Sequence, residues 1–248
     1  MKWTKYHKDN DYSYTLGAFP TMELVENSPH LIYEILLSEK LRDREYFTKI
    51  FDTKQIPYRV ADRELRRIST KENVFLAGVF RKHIPRAEQK NHIICDQISD
   101  MGNLGNITRT MLAMGQHDLI LIGQTCDLFH PKSVRAGMGA LFHIRMSHFD
   151  TFDQYRDTFS EPDRGIFCFM LDEKAKNLPE IRAPKKWSLV FGAEASGLEE
   201  AYRGRGTTVM IPQSSEVDSL NLTTAVAIGC YHFSMEDMKG AKNEYGDL

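Results

Sequence analysis

Five short, almost wholly apolar runs occur after residue 90 of the chain. They are His92–Asp96, Asp118–Ile122, 165–171, 188–191 and 207–211. Each is shorter than an ordinary helix and lacks alternating polar residues, which is typical of a strand that is buried on both faces. Helix-compatible stretches lie at 107–114 and 133–141, and a helix with one apolar face follows from about residue 222 to 233. This alternation predicts an α/β domain with a parallel sheet covered on both faces.

A smaller α/β alternation precedes these runs. Strand-forming stretches at 12–19, 31–37, 57–60 and 74–80 alternate with helix-compatible stretches at 21–27, 42–51 and 62–68, the last capped by Asp62. A polar, basic segment at 81–90, interrupted by Pro85, then breaks the pattern. We therefore predict a small α/β domain over residues 1–82, a linker over 83–91 and a second domain over 92–248.

The composition is that of an ordinary folded protein, with 42% hydrophobic and 27% charged residues in a chain of 248. The formal net charge of −2 argues against a protein that simply coats nucleic acid, although the first 90 residues are the more basic part. The four cysteines are far apart and mostly lie in apolar runs, which is typical of buried, reduced thiols. No apolar run approaches the length of a membrane span, and no signal-peptide pattern is present. These features predict a cytoplasmic protein without a membrane segment.

Several common functional motifs are absent from the sequence. It contains no GxGxxG after a strand, no GxxxxGK[ST], no GxSxG and no HExxH. Dehydrogenase, nucleotide triphosphatase, hydrolase and metalloprotease functions therefore lose their usual support. The nine histidines are scattered without metal-ligand spacing, so we expect no metal.

Three segments rich in glycine or polar turn residues follow predicted strands of the second domain. They are the loop at 100–110, which leads into the helix that carries Arg109, the segment at 189–198, which includes the sequence FGAEASGL, and the segment at 211–222. Open α/β sheets bind ligands at the carboxyl ends of their strands. Loops that follow three strands are therefore expected to share one ligand site.

These three segments, in this order, resemble the three motifs of the SpoU class of the SPOUT superfamily, the S-adenosylmethionine-dependent RNA ribose 2′-O-methyltransferases. The stretch at 131–140 also resembles the family, so the resemblance covers most of residues 92–233. Residues 12–82 resemble, less sharply, the small substrate-binding domain that precedes many SpoU catalytic domains. The resemblance implies a deep trefoil knot, a homodimer, S-adenosyl-L-methionine as cofactor and RNA as substrate, with rRNA favoured over tRNA.

The resemblance also implies a set of catalytic residues, namely Asn103, Arg109, Glu194, Ser219 and Asn221. Arg109 is expected to lie nearest the ribose 2′-hydroxyl. Because a guanidinium keeps its proton at neutral pH, we expect Arg109 to clamp phosphate or ribose rather than to act as a base. Glu194 is expected to accept hydrogen bonds from Arg109, from Asn103 or from backbone amides. Helix capping is the alternative role for Ser219 and Asn221.

The cofactor site implied by the resemblance consists of Leu189, Gly192, Gly197, Ile211, Gln213 and Leu220, with contacts made largely through backbone groups. Gly192 and Gly197 permit backbone angles and close approaches that a β-carbon forbids. Ala193 and Ala195 stand where the family usually has Asn and Gly, which leaves open a catalytically inactive RNA-binding protein of the same fold. A second alternative is a nucleotide-dependent α/β oxidoreductase.

Overall fold

The computed structural model describes residues 3–69 and 73–240. The described residues form two compact units. The first contains the described residues up to Ile84 together with 104–109 and 127–143, and the second contains 85–103, 110–126 and the described residues from 144 onwards. Each unit is therefore assembled from separate stretches of the chain. The division at 83–91 stays a prediction for the domains of the protein.

The first unit contains a four-stranded sheet. Its elements in chain order are β1 (Tyr12–Leu16), α1 (Ala18–Asn27), β2 (Ile32–Leu37), α2 (Arg44–Thr53), β3 (Tyr58–Val60), α3 (Asp62–Ile68) and β4 (Leu76–Arg81). The strand order is β1-β4-β2-β3, with β4 antiparallel to both of its neighbours and β3 parallel to β2. The order and type of all seven predicted elements are thereby confirmed.

The predicted role of Asp62 as the cap of α3 is wrong. The helix begins at Asp62 itself, and Ala61 is its N-cap residue. The Asp62 carboxylate instead accepts hydrogen bonds from the Ser38 hydroxyl at 2.6 Å and the Glu39 amide at 3.2 Å. The hydrogen bond from Ser38 is the main cause that holds the pKa of Asp62 below its ordinary value. Asp62 therefore fastens the start of α3 to the turn after β2.

The second unit contains a seven-stranded sheet, and of the α-helices and strands after β4 only α5 and residues 104–109 of α4 belong to the first unit. The further elements in chain order are β5 (His92–Asp96), α4 (Met101–Ala113), β6 (Asp118–Ile122), α5 (Pro131–Ala136), β7 (Arg145–Phe149), α6 (Phe152–Thr158), β8 (Arg164–Phe169), β9 (Lys176–Asn177), β10 (Lys186–Phe191), β11 (Thr207–Met210) and α7 (Leu222–Gly240). The strand order is β7-β6-β5-β10-β8-β11-β9, and every pair is parallel. The predicted parallel α/β sheet is confirmed, and β5 and β6 begin and end at the predicted residues.

Three elements of the second unit were not predicted, and each lies near an edge or is short. β7 pairs only with β6, and its side chains are partly or fully exposed, so it lacks the continuous apolar run of a central strand. β9 has two residues, and α6 has seven. Continuous hydrophobicity detects central strands, whereas an edge strand carries polar residues on its open side.

The first of the three predicted loops is largely a helix in the structure. α4 begins at Met101, and its N-cap residue Asp100 accepts a 2.8 Å hydrogen bond from the Asn103 amide. Gly105 lies inside this helix, where a β-carbon would come within 2.3 Å of the Ser133 carbonyl oxygen of α5. The glycine therefore permits close helix packing rather than a turn, and the predicted loop at 100–110 is wrong.

The helix predicted at 133–141 is interrupted. α5 ends at Ala136, and a short 3₁₀ helix runs over Ala140–His143. Between them Met138 and Gly139 have positive φ angles of 51° and 86°, which a helix does not allow.

The trefoil knot stays a prediction. Within the part of the chain that the structure describes, no helix has both the length and the apolarity needed to cross a membrane.

Candidate functional site

A cavity of about 420 Å³ lies in the second unit, where β8, β10 and β11 end and α7 begins. This volume falls within the range of small-molecule sites, and the carboxyl ends of parallel strands are their usual place in such sheets. Five of the six predicted cofactor residues line it, namely Gly192, Gly197, Ile211, Gln213 and Leu220. Glu194 and Ser219 line it as well. The structure therefore brings the second and third predicted segments together around one cavity.

Leu189 lies outside the lining of this cavity. It is fully buried in β10, where its backbone pairs with Ile93 of β5 and Phe167 of β8. The neighbouring Phe191, at the end of the same strand, lines the cavity instead. Leu189 and Phe191 point to the same face of the sheet, because side chains alternate with a period of two. Their position along β10 separates them, since Phe191 is its last residue and lies at the carboxyl edge whereas Leu189 lies inside the strand.

The loop 192–198 closes on itself through its two glycines. A β-carbon on Gly192 would come within 2.1 Å of the Gly197 carbonyl carbon and 2.3 Å of the Leu198 nitrogen. Gly197 has a φ angle of +66°, and its amide donates a 2.9 Å hydrogen bond to the Ala193 carbonyl. Gly192 is thus required for space and Gly197 for conformation. Ala193 contributes its backbone to this closure, so an alanine side chain at that position is compatible with a formed loop.

Glu194 connects this loop to the start of α4. One carboxylate oxygen accepts hydrogen bonds from the Asp100 amide at 3.3 Å and the Asn103 side-chain amide at 3.2 Å. The other accepts from the Ser99 amide at 3.5 Å and its hydroxyl at 3.4 Å. Burial alone would raise the pKa of the Glu194 carboxyl, but its own amide and the groups on Asn103, Ser99 and Asp100 together lower it below the ordinary value. The loop is therefore held by an ionised carboxylate.

The segment that follows β11 forms another wall of the cavity. Gln213 donates through its side-chain amide to the Asp218 carbonyl at 3.4 Å. This hydrogen bond links two residues of the segment that are five positions apart. Ser219 is exposed and lines the cavity. The Asn221 side chain accepts hydrogen bonds from the amide of Thr223 at 2.8 Å and from its hydroxyl at 2.5 Å. Asn221 therefore caps α7, as the alternative role for this residue anticipates.

Arg109 is exposed on α4, six residues after Asn103, and it groups with the first unit. Among the residues that the structure describes, it forms no hydrogen bond or ion pair. The donors that reach Glu194 come from Ser99, Asp100 and Asn103. Of the three kinds of donor expected for Glu194, the structure therefore contains Asn103 and the backbone amides.

The charge and apolarity of the cavity indicate the kind of ligand that it accepts. Among the described lining residues, Glu194 and Asp218 are acidic and none is basic. The rings of Phe169 and Phe191 stack with their centroids 4.4 Å apart and form an apolar part of the wall. Such a lining favours a ligand with an apolar or aromatic part and a positive charge.

Sequence reasoning missed the contribution of β8 and the segment just after it. Phe169, Met170 and Leu171 line the cavity, and Leu171 is 59% exposed although it is a large apolar residue. The predicted strand at 165–171 carried a usable signal, because its carboxyl end lies at the same sheet edge as the three predicted segments.

Within the described ranges, no group of three or more His, Cys, Asp or Glu side chains is arranged to hold a metal ion, and the expectation of a metal-free protein stays a prediction.

Comparisons with known proteins agree with this arrangement. The model of the SpoU rRNA Methylase family matches residues 90–231. The chain is 28% identical over 154 residues to the 23S rRNA (guanosine(2553)-2'-O)-methyltransferase RlmP of Bacillus subtilis, covering 60% of this chain and 61% of that protein. It is 29% identical over 163 residues to a 23S rRNA (uridine(2479)-2'-O)-methyltransferase of Streptomyces viridochromogenes, covering 63% and 56%. The matched part thus spans less than two thirds of either relative.

A solved structure extends the likeness to most of the chain. The AdoMet-bound rRNA methyltransferase of Sinorhizobium meliloti has a TM-score of 0.76 with this structure at 23% sequence identity, over 91% of this chain and 87% of that one. At this identity the likeness supports a shared fold. The α/β architecture with its parallel sheet is therefore that of known methyltransferase structures.

Proposed function

Because the chain belongs to the SpoU rRNA methylase family, we propose that it transfers a methyl group from S-adenosyl-L-methionine to a ribose 2′-hydroxyl of RNA, with rRNA as the first candidate and tRNA as the second. The observation that carries this proposal is the cavity of about 420 Å³ around which the second and third family-like segments meet. The two 23S rRNA methyltransferase relatives support rRNA as the substrate class.

The lining of the cavity fits S-adenosyl-L-methionine. Gly192 and Gly197 have no side chain and present only backbone to the cavity, which suits recognition of an adenine edge through amide and carbonyl groups. Glu194 and Asp218 supply the negative charge that a positively charged sulfonium favours. Two acidic side chains and the absence of a basic one among the described lining residues argue against a pyrophosphate-bearing dinucleotide, whose phosphates are repelled by carboxylates and commonly bound by Arg or Lys. This favours the methyltransferase over the oxidoreductase alternative.

The chemistry divides between the cofactor and the protein. The bound cofactor supplies an activated methyl group, which needs little further activation by protein groups. The protein must align a ribose oxygen with that methyl group and manage the proton that the hydroxyl loses. Glu194 positions the start of α4, since it holds the Asn103 side chain and two backbone amides at once. Arg109 extends from the same helix and, as a permanent cation, orients the RNA and stabilises negative charge on the attacking oxygen.

Four further features complete the proposal. The first unit, with its excess of basic residues in the first 90 positions, positions the RNA. The protein works as a homodimer with a knotted second domain, as the family resemblance implies. It acts in the cytoplasm, in agreement with its free, mostly buried cysteines.

The direct experiment measures methyl transfer from isotopically labelled S-adenosylmethionine to RNA from cells that lack the protein, with rRNA and tRNA assayed separately. Label in the ribose of an rRNA nucleotide supports the proposal as stated, and label confined to tRNA changes the substrate class. If the protein binds S-adenosylhomocysteine but transfers no methyl group to either RNA, it is a non-catalytic relative. Binding of a nicotinamide dinucleotide without S-adenosylhomocysteine binding would revive the oxidoreductase alternative.

The role of Arg109 is tested by the substitution Arg109→Ala. Because Arg109 is exposed and has no hydrogen bond or ion pair with a described residue, the variant should keep its fold and its cofactor affinity, whereas methyl transfer should fall by roughly 100-fold or more. Arg156→Ala removes an exposed arginine from α6 that pairs with Asp153, and it serves as the control for loss of a surface cation. Unchanged turnover in Arg109→Ala would contradict the assigned role.

A further inference from the structure

An ion pair joins the segments that form two walls of the cavity. One wall consists of residues 169–171, at the end of β8 and just after it, and is called the β8 wall below. The other is loop 192–198, which continues into a 3₁₀ helix over Glu200–Gly204. The guanidinium of Arg203 in this helix lies 2.9 Å from the carboxylate of Asp172, the residue that follows the β8 wall. All of these residues belong to the second unit.

Asp172 is held in a tight turn next to the cavity. Its side chain is 8% exposed, and one carboxylate oxygen accepts a 3.0 Å hydrogen bond from the Lys174 amide. Its carbonyl accepts a 2.9 Å hydrogen bond from the Ala175 amide. The preceding residue, Leu171, lines the cavity and is 59% exposed although it is large and apolar. The turn thus places a nearly buried carboxylate beside an exposed apolar side chain of the β8 wall.

The two segments also share one hydrophobic cluster. Leu198, at the end of the loop, and Tyr202, in the 3₁₀ helix, are buried in this cluster, and Met170 of the β8 wall packs against it. The cluster lies in the core, whereas the ion pair joins the segments nearer to solvent, since Arg203 is 41% exposed. The ion pair therefore fixes the outer parts of two walls whose inner parts are held by packing.

The burial of Asp172 makes this ion pair more than an ordinary surface contact. A pair of exposed charges contributes little, as expected for Arg203 and Glu200, which lie 3.6 Å apart with Glu200 86% exposed. Removal of the cation from a nearly buried carboxylate is costly, because the charge that remains has lost its compensation. Without Arg203, the segment around Asp172 should move outwards so that water can solvate the carboxylate.

We propose that Arg203 and Asp172 are a positioning pair for the cavity, because their ion pair holds the β8 wall and loop 192–198 at the separation that the ligand requires. Neither residue belongs to the described lining, so the pair acts through Leu171 and the loop. Outward movement of Asp172 carries Leu171 with it and removes apolar surface from the ligand. The inference rests on the proposed function where cofactor affinity is concerned.

The chain offers a matched control for a purely stabilising role. Arg205, two residues after Arg203, pairs with Asp153 of α6 at 3.4 Å, and no residue of α6 is among the described lining residues. The Arg205 guanidinium also lies 5.3 Å from the Phe152 ring and 5.2 Å from the Tyr202 ring. Arg205→Ala should therefore cost at least as much stability as Arg203→Ala, but it releases α6 rather than the β8 wall.

The first measurement is calorimetric affinity for S-adenosylhomocysteine. We expect Arg203→Ala and Asp172→Asn each to weaken binding by about tenfold, and Arg205→Ala to stay within about twofold of the wild type. Arg203→Lys keeps the cation and should stay within about threefold of the wild type. The double variant of Arg203→Ala and Asp172→Asn should bind no more weakly than Arg203→Ala alone, because each substitution breaks the same contact.

The same titrations with S-adenosylmethionine separate positioning from a direct effect of charge. Arg203→Ala removes a positive charge and Asp172→Asn removes a negative one, so a direct effect on a positively charged ligand would change affinity in opposite directions. Loss of positioning weakens binding in both variants. Opposite changes, or equal changes in Arg203→Ala and Arg205→Ala, would overturn the proposal. Asp172→Asn against Asp153→Asn supplies the same comparison if Arg203→Ala does not fold.

The second measurement needs no cofactor. Hydrogen exchange should accelerate in Arg203→Ala at the Ala175 amide, in the turn after β8, and at the Gly197 amide, which closes loop 192–198. Both amides should remain near their wild-type rates in Arg205→Ala. If the wild-type protein does not bind S-adenosylhomocysteine, the proposed function fails, and hydrogen exchange then decides the positioning role by itself. Unchanged exchange at both amides in Arg203→Ala would overturn that role.

Discussion

The substitution Gly192→Ala tests whether the closed form of loop 192–198 builds the cavity. In the structure the added β-carbon would lie 2.1 Å from the Gly197 carbonyl carbon, and ordinary contacts begin at 3.4 Å. The obstacle is backbone, so no side-chain rotation relieves it. The chain around residue 197 must move by roughly an ångström, which strains the hydrogen bond from the Gly197 amide to the Ala193 carbonyl.

The expected cost of Gly192→Ala is about 1–3 kcal/mol in the free energy of unfolding, as for other substitutions that overfill a packed site. Affinity for S-adenosylhomocysteine should fall by at least about tenfold, because residues 192–198 all line the cavity. Urea unfolding measures the first quantity and titration calorimetry the second.

Two other glycines separate the two physical causes of destabilisation, lack of space for a β-carbon and an unfavourable backbone conformation. Gly197 has space for a β-carbon but a φ angle of +66°, so Gly197→Ala should cost about 1–2 kcal/mol through conformation alone. Gly204 has neither restriction, and Gly204→Ala should change stability by less than about 0.5 kcal/mol. If Gly192→Ala behaves like Gly204→Ala in both assays, the loop is not closed as the structure describes.

Two further predictions concern His92 and Asn221. Burial lowers the pKa of His92 to about 4, so above pH 6.5 the ring is neutral in both the folded and the unfolded chain and does not change stability. As the pH falls from 6.5 towards 4, the unfolded chain takes up the proton first, and up to about 3 kcal/mol of stability is lost. His92→Gln should remove this part of the pH dependence of urea unfolding, and an unchanged pH dependence would contradict the prediction. Asn221→Ala removes the cap of α7, so the free energy of unfolding should fall by about 1 kcal/mol with little change in affinity for S-adenosylhomocysteine. A tenfold loss of affinity at unchanged stability would instead assign Asn221 to the cofactor site.

Glycine shows how far local sequence patterns can be trusted. Gly105 and Gly192 both lie in segments that suggest a turn, yet Gly105 lies within α4 and Gly192 lies at the start of a loop. The distinction depends on the atoms opposite each glycine, Ser133 in one case and Gly197 in the other. The neighbour of Gly192 is five residues away, whereas that of Gly105 is much more distant in sequence, so local pattern could identify the turn at Gly192 but not the helix packing at Gly105.

The sequence by itself determined the parallel α/β sheet, the strands β5 and β6, and the three segments that resemble one family. Burial on both faces leaves a continuous apolar run in the sequence, and ligand-binding turns leave glycines and polar residues after such runs. These signals are local, so they can be detected without knowing which strands are neighbours.

Only the tertiary structure decided which of these residues meet. Asn103 and Glu194 lie 91 residues apart in sequence, and they meet because β5 and β10 are adjacent in the sheet. In the same strand β10, Leu189 is buried in the core while Phe191 reaches the cavity. Contacts between distant segments depend on strand order and on packing of the whole unit, and neither is contained in the pattern of any one segment.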